Sequence, residues 1–316
     1  MSIRIVNLEG ESVASGFRAP SIPHEWIEYP LTPPERVVER LREAQVAVIN
    51  KVRLTAEYLE QLPELKLVAI SATGTDNIDL AACRERGIVV SNVRGYAVNT
   101  VPEHALMLML ALRRSLLAYH RDVQDGAWAR SDNFCLFGHP VGDLHGATLG
   151  IFGRGSLGQG VARLATAFGM HILWGEHRGA ATVREGYTAF DTVLREADVI
   201  SLHCPLNDAT RGMIGCDELA RMKRSAVLVN TGRGGLVDEQ ALADALRAGV
   251  IAGAGMDVLS KEPPRDGNPL LAGDVPNLIV TPHMAWASEN AMQALTDQVI
   301  DNIEAFAAGA PRNRVV

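Results

Sequence analysis

The chain has little of what would mark several whole classes of protein. Only four cysteines occur in 316 residues, Cys83, Cys135, Cys204 and Cys216, and no two form a Cys-x-x-Cys pair. That excludes a disulfide framework and a cysteine-rich metal module, and the thiols fit a reducing compartment. No Lys/Arg run interrupts a formal net charge of −7, so the basic face that nucleic acid demands is missing. No apolar run approaches the about 20 residues of a bilayer-spanning helix. The richest, Ala105 to Leu112, ends at Arg113-Arg114. The N-terminal Met1-Ser2-Ile3-Arg4-Ile5-Val6-Asn7 lacks a long apolar h-region and a small-residue cleavage site. The histidines show no metal-ligand spacing, and no metal is expected. Together these absences predict a cytoplasmic protein with neither membrane nor nucleic-acid partners.

What is present is an ordinary globular composition, 47% hydrophobic and 21% charged. A chain of this length is expected to divide, because single cores stop growing near about 250–300 residues. Short apolar runs recur with helical segments between them: Ile3–Val6, Val46–Ile49, Leu67–Ala72 and Ile88–Val90, then Thr148–Phe152, His171–Trp174, Val199–His203, Ala226–Asn230, Ala252–Asp257 and Leu278–Val280. Helices are punctuated as expected, with Asp79 before Leu80–Arg86 and Gly87 after, and Asp238 before Glu239–Ala248 and Gly249 after. Alternation of this kind predicts α/β architecture with mostly parallel sheets. The last helix, near Ser288 to Ala308, has no further strand to cross back to. A split domain follows: residues 1–98 and 287–316 form one unit, and 99–286 form a second inserted in it. The apolar segment Pro102–Leu117 reads as one helix, and the irregular stretch 129–146 as the longest loop.

A glycine fingerprint opens the second series. Gly153-Arg154-Gly155-Ser156-Leu157-Gly158 follows the apolar Leu149-Gly150-Ile151-Phe152 and starts a helix with a stripe at Val161, Leu164, Ala165 and Phe168. The first glycine permits a tight turn, the second brings backbone amides to a pyrophosphate, and the third lets helix and strand pack closely. In that context the motif predicts a bound dinucleotide. Glu176 ends the next strand, where a carboxylate would accept the adenosine ribose hydroxyls and disfavour a 2′-phosphate. NAD is therefore preferred; Arg178, two residues on, keeps NADP open.

Downstream, three residues follow apolar segments in turn: Arg233 in Thr-Gly-Arg-Gly, Glu262 in Lys-Glu-Pro-Pro and His283 in Thr-Pro-His. An arginine can hold a carboxylate or polarise a carbonyl, a histidine moves protons near neutral pH, and a glutamate can tune that histidine. Taken singly, each is equally a structural loop residue. Beside a dinucleotide site, on strand ends of one sheet, the three describe hydride transfer to and from a 2-oxo acid.

The chain resembles the D-isomer-specific 2-hydroxyacid dehydrogenase family over nearly its whole length. The likeness rests on Gly74-Thr75-Asp76-Asn77-Ile78-Asp79, Val101-Pro102-Glu103-His104, Gly153–Gly158, Leu202-His203-Cys204-Pro205-Leu206, Asn230-Thr231-Gly232-Arg233-Gly234, Met256-Asp257-Val258 through Glu262-Pro263, and Thr281-Pro282-His283. Through His283-Met284-Ala285-Trp286-Ala287-Ser288 it is similar to the glycerate dehydrogenase (hydroxypyruvate reductase) branch. Ser156-Leu157 departs from the more usual Arg-Ile, a mild change where backbone amides do the binding.

The resemblance implies a central Rossmann NAD-binding domain inserted in a split flavodoxin-like substrate domain, both doubly wound. It implies Arg233 as the clamp on substrate carboxylate and carbonyl, His283 as acid/base and Glu262 as its hydrogen-bond partner. Thr73 and Gly74 would hold the substrate carboxylate, with Trp286 walling the pocket. Cofactor contacts would include Thr100, His203, Cys204, Pro205, Thr231 and Gly232, and Asp257 on the nicotinamide carboxamide. A homodimer is implied, with Pro102–Leu117 and the following loop as the contact. Hydroxypyruvate/D-glycerate is the first substrate choice and glyoxylate/glycolate the second. The alternatives are D-lactate, phosphoglycerate or formate dehydrogenase on the same scaffold, or a dinucleotide-dependent dimeric scaffold of the corepressor kind. The chain end at Val316 weighs against the long phosphoglycerate enzymes.

Overall fold

The computed structural model describes residues 2–316, which form two compact units: one runs to Ala97 and resumes at Ala287–Val316, the other is Val98–Trp286. In the first, the strands are β1 (Ile3–Asn7), β2 (His24–Glu28), β3 (Val46–Ile49), β4 (Leu67–Ile70) and β5 (Val89–Ser91). All pair parallel in the order β2-β1-β3-β4-β5, the doubly wound order of the flavodoxin-like type. The strands β3 and β4 are buried along their whole length, which explains why they read as continuous apolar runs. The edge strand β2, His-Glu-Trp-Ile-Glu, was not expected from sequence, because its half-exposed residues carry no apolar run.

The last helix, Glu289–Ala307, is capped by Ser288, whose hydroxyl accepts the Ala291 amide. It returns the chain to this first unit. Asn302, fully buried, donates to Asn92 O at 3.0 Å and accepts from Asn313 at 3.0 Å. The tail then bridges Ser91 through Arg314, and Val316 enters the core.

The second unit holds β6 (Thr148–Phe152), β7 (His171–Gly175), β8 (Val199–Leu202), β9 (Val227–Asn230), β10 (Gly253–Met256) and β11 (Leu278–Val280) in the parallel order β11-β10-β9-β8-β6-β7. A single bridge from Gly175 to Thr188 stands where a further edge strand would lie. With that bridge the arrangement is the Rossmann order, extended by one strand at the far edge. Two apolar cores cover the sheet. One gathers the helices Phe190–Glu196, Cys216–Arg221 and Glu239–Arg247; the other gathers Thr100–Arg113 and Ser156–Ala167. The helix Thr100–Arg113 lies close over β10 because Gly255 offers no side chain: a Cβ there would sit 3.0 Å from Leu108 Cβ.

The expected single helix over Pro102–Leu117 is instead two, Thr100–Arg113 and Leu116–Gln124, broken at Ser115 with φ of +48°. Local polarity at Arg113-Arg114-Ser115 carries no glycine to announce the break. No regular element occupies residues 131–147.

Candidate active site

Every candidate catalytic residue follows the carboxyl end of one of three neighbouring strands. Arg233 lies three residues beyond β9, and His283 three beyond β11. Glu262 is not at a strand end as expected; it lies six residues past β10, in a loop that folds back. Its carboxylate is fixed at both oxygens. Oε1 accepts the Leu259 amide at 2.7 Å, and Oε2 stands 2.6 Å from His283 Nδ1. A carboxylate only accepts, so the proton between them belongs to Nδ1. This leaves Nε2 as the atom that faces chemistry.

His283 itself has φ of +54°, a left-handed conformation uncommon outside glycine, though enriched for Asn, Asp and His. Its amide donates to Asp257 O at 2.8 Å. Arg233 sits in a loop held by fully buried Asn230, which donates to Arg233 O and accepts from the Gly232 amide. Gly234 is required next to it, since a Cβ there would lie 1.9 Å from Leu259 C. The arginine loop is thus packed onto the segment that carries Glu262. The Arg233 guanidinium donates to Gly232 O at 2.9 Å.

The glycine loop has the form its sequence implies. Gly153 has φ of +106°, and a Cβ on it would lie 2.4 Å from the His203 carbonyl. A Cβ on Gly158 would lie 2.0 Å from Gly153 O, whereas one on Gly155 meets no atom within 4 Å. The loop is therefore closed by packing at its ends and open at its middle, where the helix Ser156–Ala167 presents the free amides of its first turn. Ser156 is exposed there and Leu157 half-buried. Two buried polar atoms beside this opening lack a partner, His203 Nδ1 and Thr231 Oγ1. Orphaned atoms of this kind are rare, and a bound dinucleotide would satisfy them. The residues present fit that group.

Other expected contacts are placed differently. Asp257 is 1% exposed, and its carboxylate accepts from Thr281 Oγ1 (2.5 Å) and the amides of Met284 (3.0 Å) and Ala285 (2.9 Å). It braces the histidine loop through these three contacts. Glu176, 2% exposed, is locked by Arg184 in a two-pronged pair, 2.7 Å on each side, and by the amides of His177 and Arg184. The Arg184 guanidinium, with those amides, holds the Glu176 carboxyl down at about 2. Ribose hydroxyls reaching Glu176 would therefore compete with Arg184 for its oxygens. Arg178 pairs with buried Glu218 at 3.1 Å. Thr100 spends its hydroxyl on Ala285 O at 3.1 Å.

The Cys204 thiol lies 3.5 Å from Met213 Sδ, and burial pushes it up to about 11; Pro205 is exposed. Thr73 donates to Val93 O within its own unit, beside Gly74. Trp286 is half-buried. Among the described residues no cluster of potential metal ligands occurs; His139 pairs with Asp122 at 2.8 Å. A cavity of about 380 Å³ opens beyond β7 among Arg178, Asp191, Glu218 and Arg221, but neither the glycine loop nor the trio lines it.

Sequence reasoning passed over His104 and Arg184. The first sat inside a quoted motif without an assigned role. The second lies in irregular chain with no local signal.

Comparison with known proteins agrees with this geometry. Residues 106–285, more than half the chain, match the family described as D-isomer specific 2-hydroxyacid dehydrogenase, NAD binding domain. The chain is 51% identical over 316 residues to a glycerate dehydrogenase of Methylorubrum extorquens, covering 100% of this chain and 99% of that one. It is 35% identical over 288 residues to a hydroxypyruvate reductase of Blautia hydrogenotrophica, covering 90% and 89%. In structure it is similar to an NADPH-dependent glyoxylate/hydroxypyruvate reductase of Sinorhizobium meliloti, with a TM-score of 0.80 and 29% identity across 99% of this chain and 98% of that one.

Proposed function

The chain belongs to the D-isomer specific 2-hydroxyacid dehydrogenase family, and from that premise we propose that it reduces a small 2-oxo acid to its D-2-hydroxy acid. The substrates are hydroxypyruvate, giving D-glycerate, and glyoxylate, giving glycolate. The observation that carries this reading is the 2.6 Å Glu262–His283 pair, which leaves imidazole Nε2 as a directed proton donor on the same sheet edge as the dinucleotide loop.

A reduced dinucleotide held by Gly153–Gly158 with His203 and Thr231 would supply the hydride that the C2 carbonyl carbon accepts. His283 supplies the matching proton from Nε2 to the carbonyl oxygen, so one hydride and one proton convert the C2 carbonyl to the alcohol. Glu262 keeps the Nδ1 proton in place and balances the positive charge the imidazole carries before transfer. Arg233 would hold the substrate carboxylate and the developing alkoxide through its planar fork. In oxidation each transfer reverses, with His283 as base.

A homodimer is part of the same proposal. Its support is a concentration of exposed apolar side chains in one segment, with Leu116, Leu117, Trp128 and Val141 about half exposed and Phe134 and Phe137 at 91% and 87%. Exposure of that kind marks a protein contact. Four free thiols among the described residues fit a cytoplasmic setting, and no helix there is long and apolar enough to cross a membrane.

A panel of hydroxypyruvate, glyoxylate, pyruvate and a phosphorylated 2-oxo acid, each with NADH and NADPH, tests the reading by loss of reduced-nicotinamide absorbance. Turnover is expected with the first two. Absence of turnover with both would refute it.

A further inference from the structure

His283 stands in a short turn whose two ends are gripped by a single helix edge. Thr100 and His104 are one helical turn apart on Thr100–Arg113 and so share a face. Thr100 Oγ1 donates to Ala285 O at 3.1 Å, and His104 Nε2 is 3.0 Å from Thr281 Oγ1. Residues 281 and 285 bracket the histidine symmetrically. Between them, Asp257 accepts from Thr281 Oγ1, Met284 N and Ala285 N.

The protons in this network have only one consistent arrangement. The Thr281 hydroxyl gives its single hydrogen to Asp257, which only accepts, so its oxygen must receive from His104. His104 therefore carries its proton on Nε2. Burial lowers its affinity for a second one, against the pull of the Asp257 carboxylate. The hydrogen bonds then run in one direction, from His104 to Thr281 to Asp257, and end on the turn that holds His283 in its left-handed conformation.

We infer that His104 and Thr281 are positioning residues for the acid/base histidine, acting through Asp257 on the turn that aims His283. This rests on the proposed role of His283. Neither residue touches that imidazole. Their effect is to hold the turn at the φ of +54° at which Nδ1 meets Glu262. A misplacement of about 1 Å in such a group costs about a hundredfold in rate.

The test is steady-state reduction of hydroxypyruvate by Thr281→Val, Thr281→Ser, His283→Ala and the double variant Thr281→Val/His283→Ala. NADH affinity is measured alongside by fluorescence titration. Thr281→Val is expected to lower kcat by about ten- to a hundredfold with little change in NADH affinity. Thr281→Ser, which keeps the hydroxyl, restores most of the rate. In the His283→Ala background Thr281→Val adds nothing, because the group it positions is gone. An unimpaired Thr281→Val beside a slow His283→Ala would overturn the inference alone. Equal losses from Thr281→Val in both backgrounds would overturn it too, since they mark a general structural effect. A His283→Ala enzyme as fast as the wild type would overturn the acid assignment and this inference with it. Should Thr281→Val fail to fold, His104→Leu and His104→Gln pose the same question: glutamine can still donate to Thr281 Oγ1 and leucine cannot.

Discussion

Glu262 meets His283 with one oxygen, at 2.6 Å, while its other oxygen takes the amide of Leu259 at 2.7 Å. Both partners are donors, so the position demands two acceptors. Glutamine supplies one acceptor and one donor, so either the two donors clash or the imidazole moves its proton to Nε2 and accepts at Nδ1, and the counter-charge for its protonated form is lost either way. Glu262→Gln is expected to lower kcat by about ten- to a hundredfold, with a smaller change in KM, because positioned acid catalysis contributes on that scale or more. Steady-state kinetics decide it; a rate within twofold or so of wild type would place the glutamate outside the chemistry.

The glycine loop separates folding from cofactor binding. A methyl group on Gly158 collides with Gly153 O, whereas one on Gly155 enters open space. Gly158→Ala should therefore lower the melting temperature. Gly155→Ala should leave it unchanged yet weaken NADH binding, because that space is reserved for the pyrophosphate. Thermal melts and NADH titrations of the two variants give opposite patterns. Undiminished NADH affinity in Gly155→Ala would place the dinucleotide elsewhere.

Burial drives the His203 imidazole from its ordinary 6.5 down to about 4. The residue is only partly covered, but its Nδ1 is fully buried and unpartnered. The folded chain keeps the ring neutral through this interval while the unfolded chain takes up a proton. Stability therefore rises with pH across the window and is lost as pH falls from 6.5 toward 4. His203→Gln cannot titrate and should flatten that part of the profile. Denaturant melts at about pH 7 and about pH 5 compare the two proteins; identical losses would exclude His203 as the source.

At the end of β7, the Arg184 guanidinium neutralises Glu176, so the acidic corner that would repel a 2′-phosphate is already compensated. Arg154 stacks nearby over Trp174 and Tyr187, 5.1 and 5.5 Å from the ring centres. Both NADH and NADPH are expected to bind. Arg184→Ala should weaken NADPH relative to NADH by about tenfold, the scale of one charged hydrogen bond. An unchanged ratio of dissociation constants would assign the discrimination to other residues.

The parts legible in the sequence were those decided locally. Asp79, Asp238 and Ser288 cap their helices through contacts three residues away, and the wholly buried strands β3, β4, β8 and β9 announce themselves as apolar runs. Parallel order then brings the ends of β9, β10 and β11 side by side, which is why three residues distant in the chain read as one site. The misses are long-range or lack a pattern. The edge strand β2 has no apolar run, and the break at Ser115 has no glycine. Glu176 and Asp257 looked like open acids because their partners, Arg184 and the 281–285 turn, become neighbours only through the fold. The same holds for His104, which reaches Thr281 across 177 residues.

The most direct test of the account is His283→Ala, followed in parallel by hydroxypyruvate reduction and by NADH fluorescence titration. A loss of about a hundredfold or more in kcat with NADH affinity essentially intact is predicted. Reduction at the wild-type rate, or a fall in NADH affinity as large as the fall in rate, would contradict it.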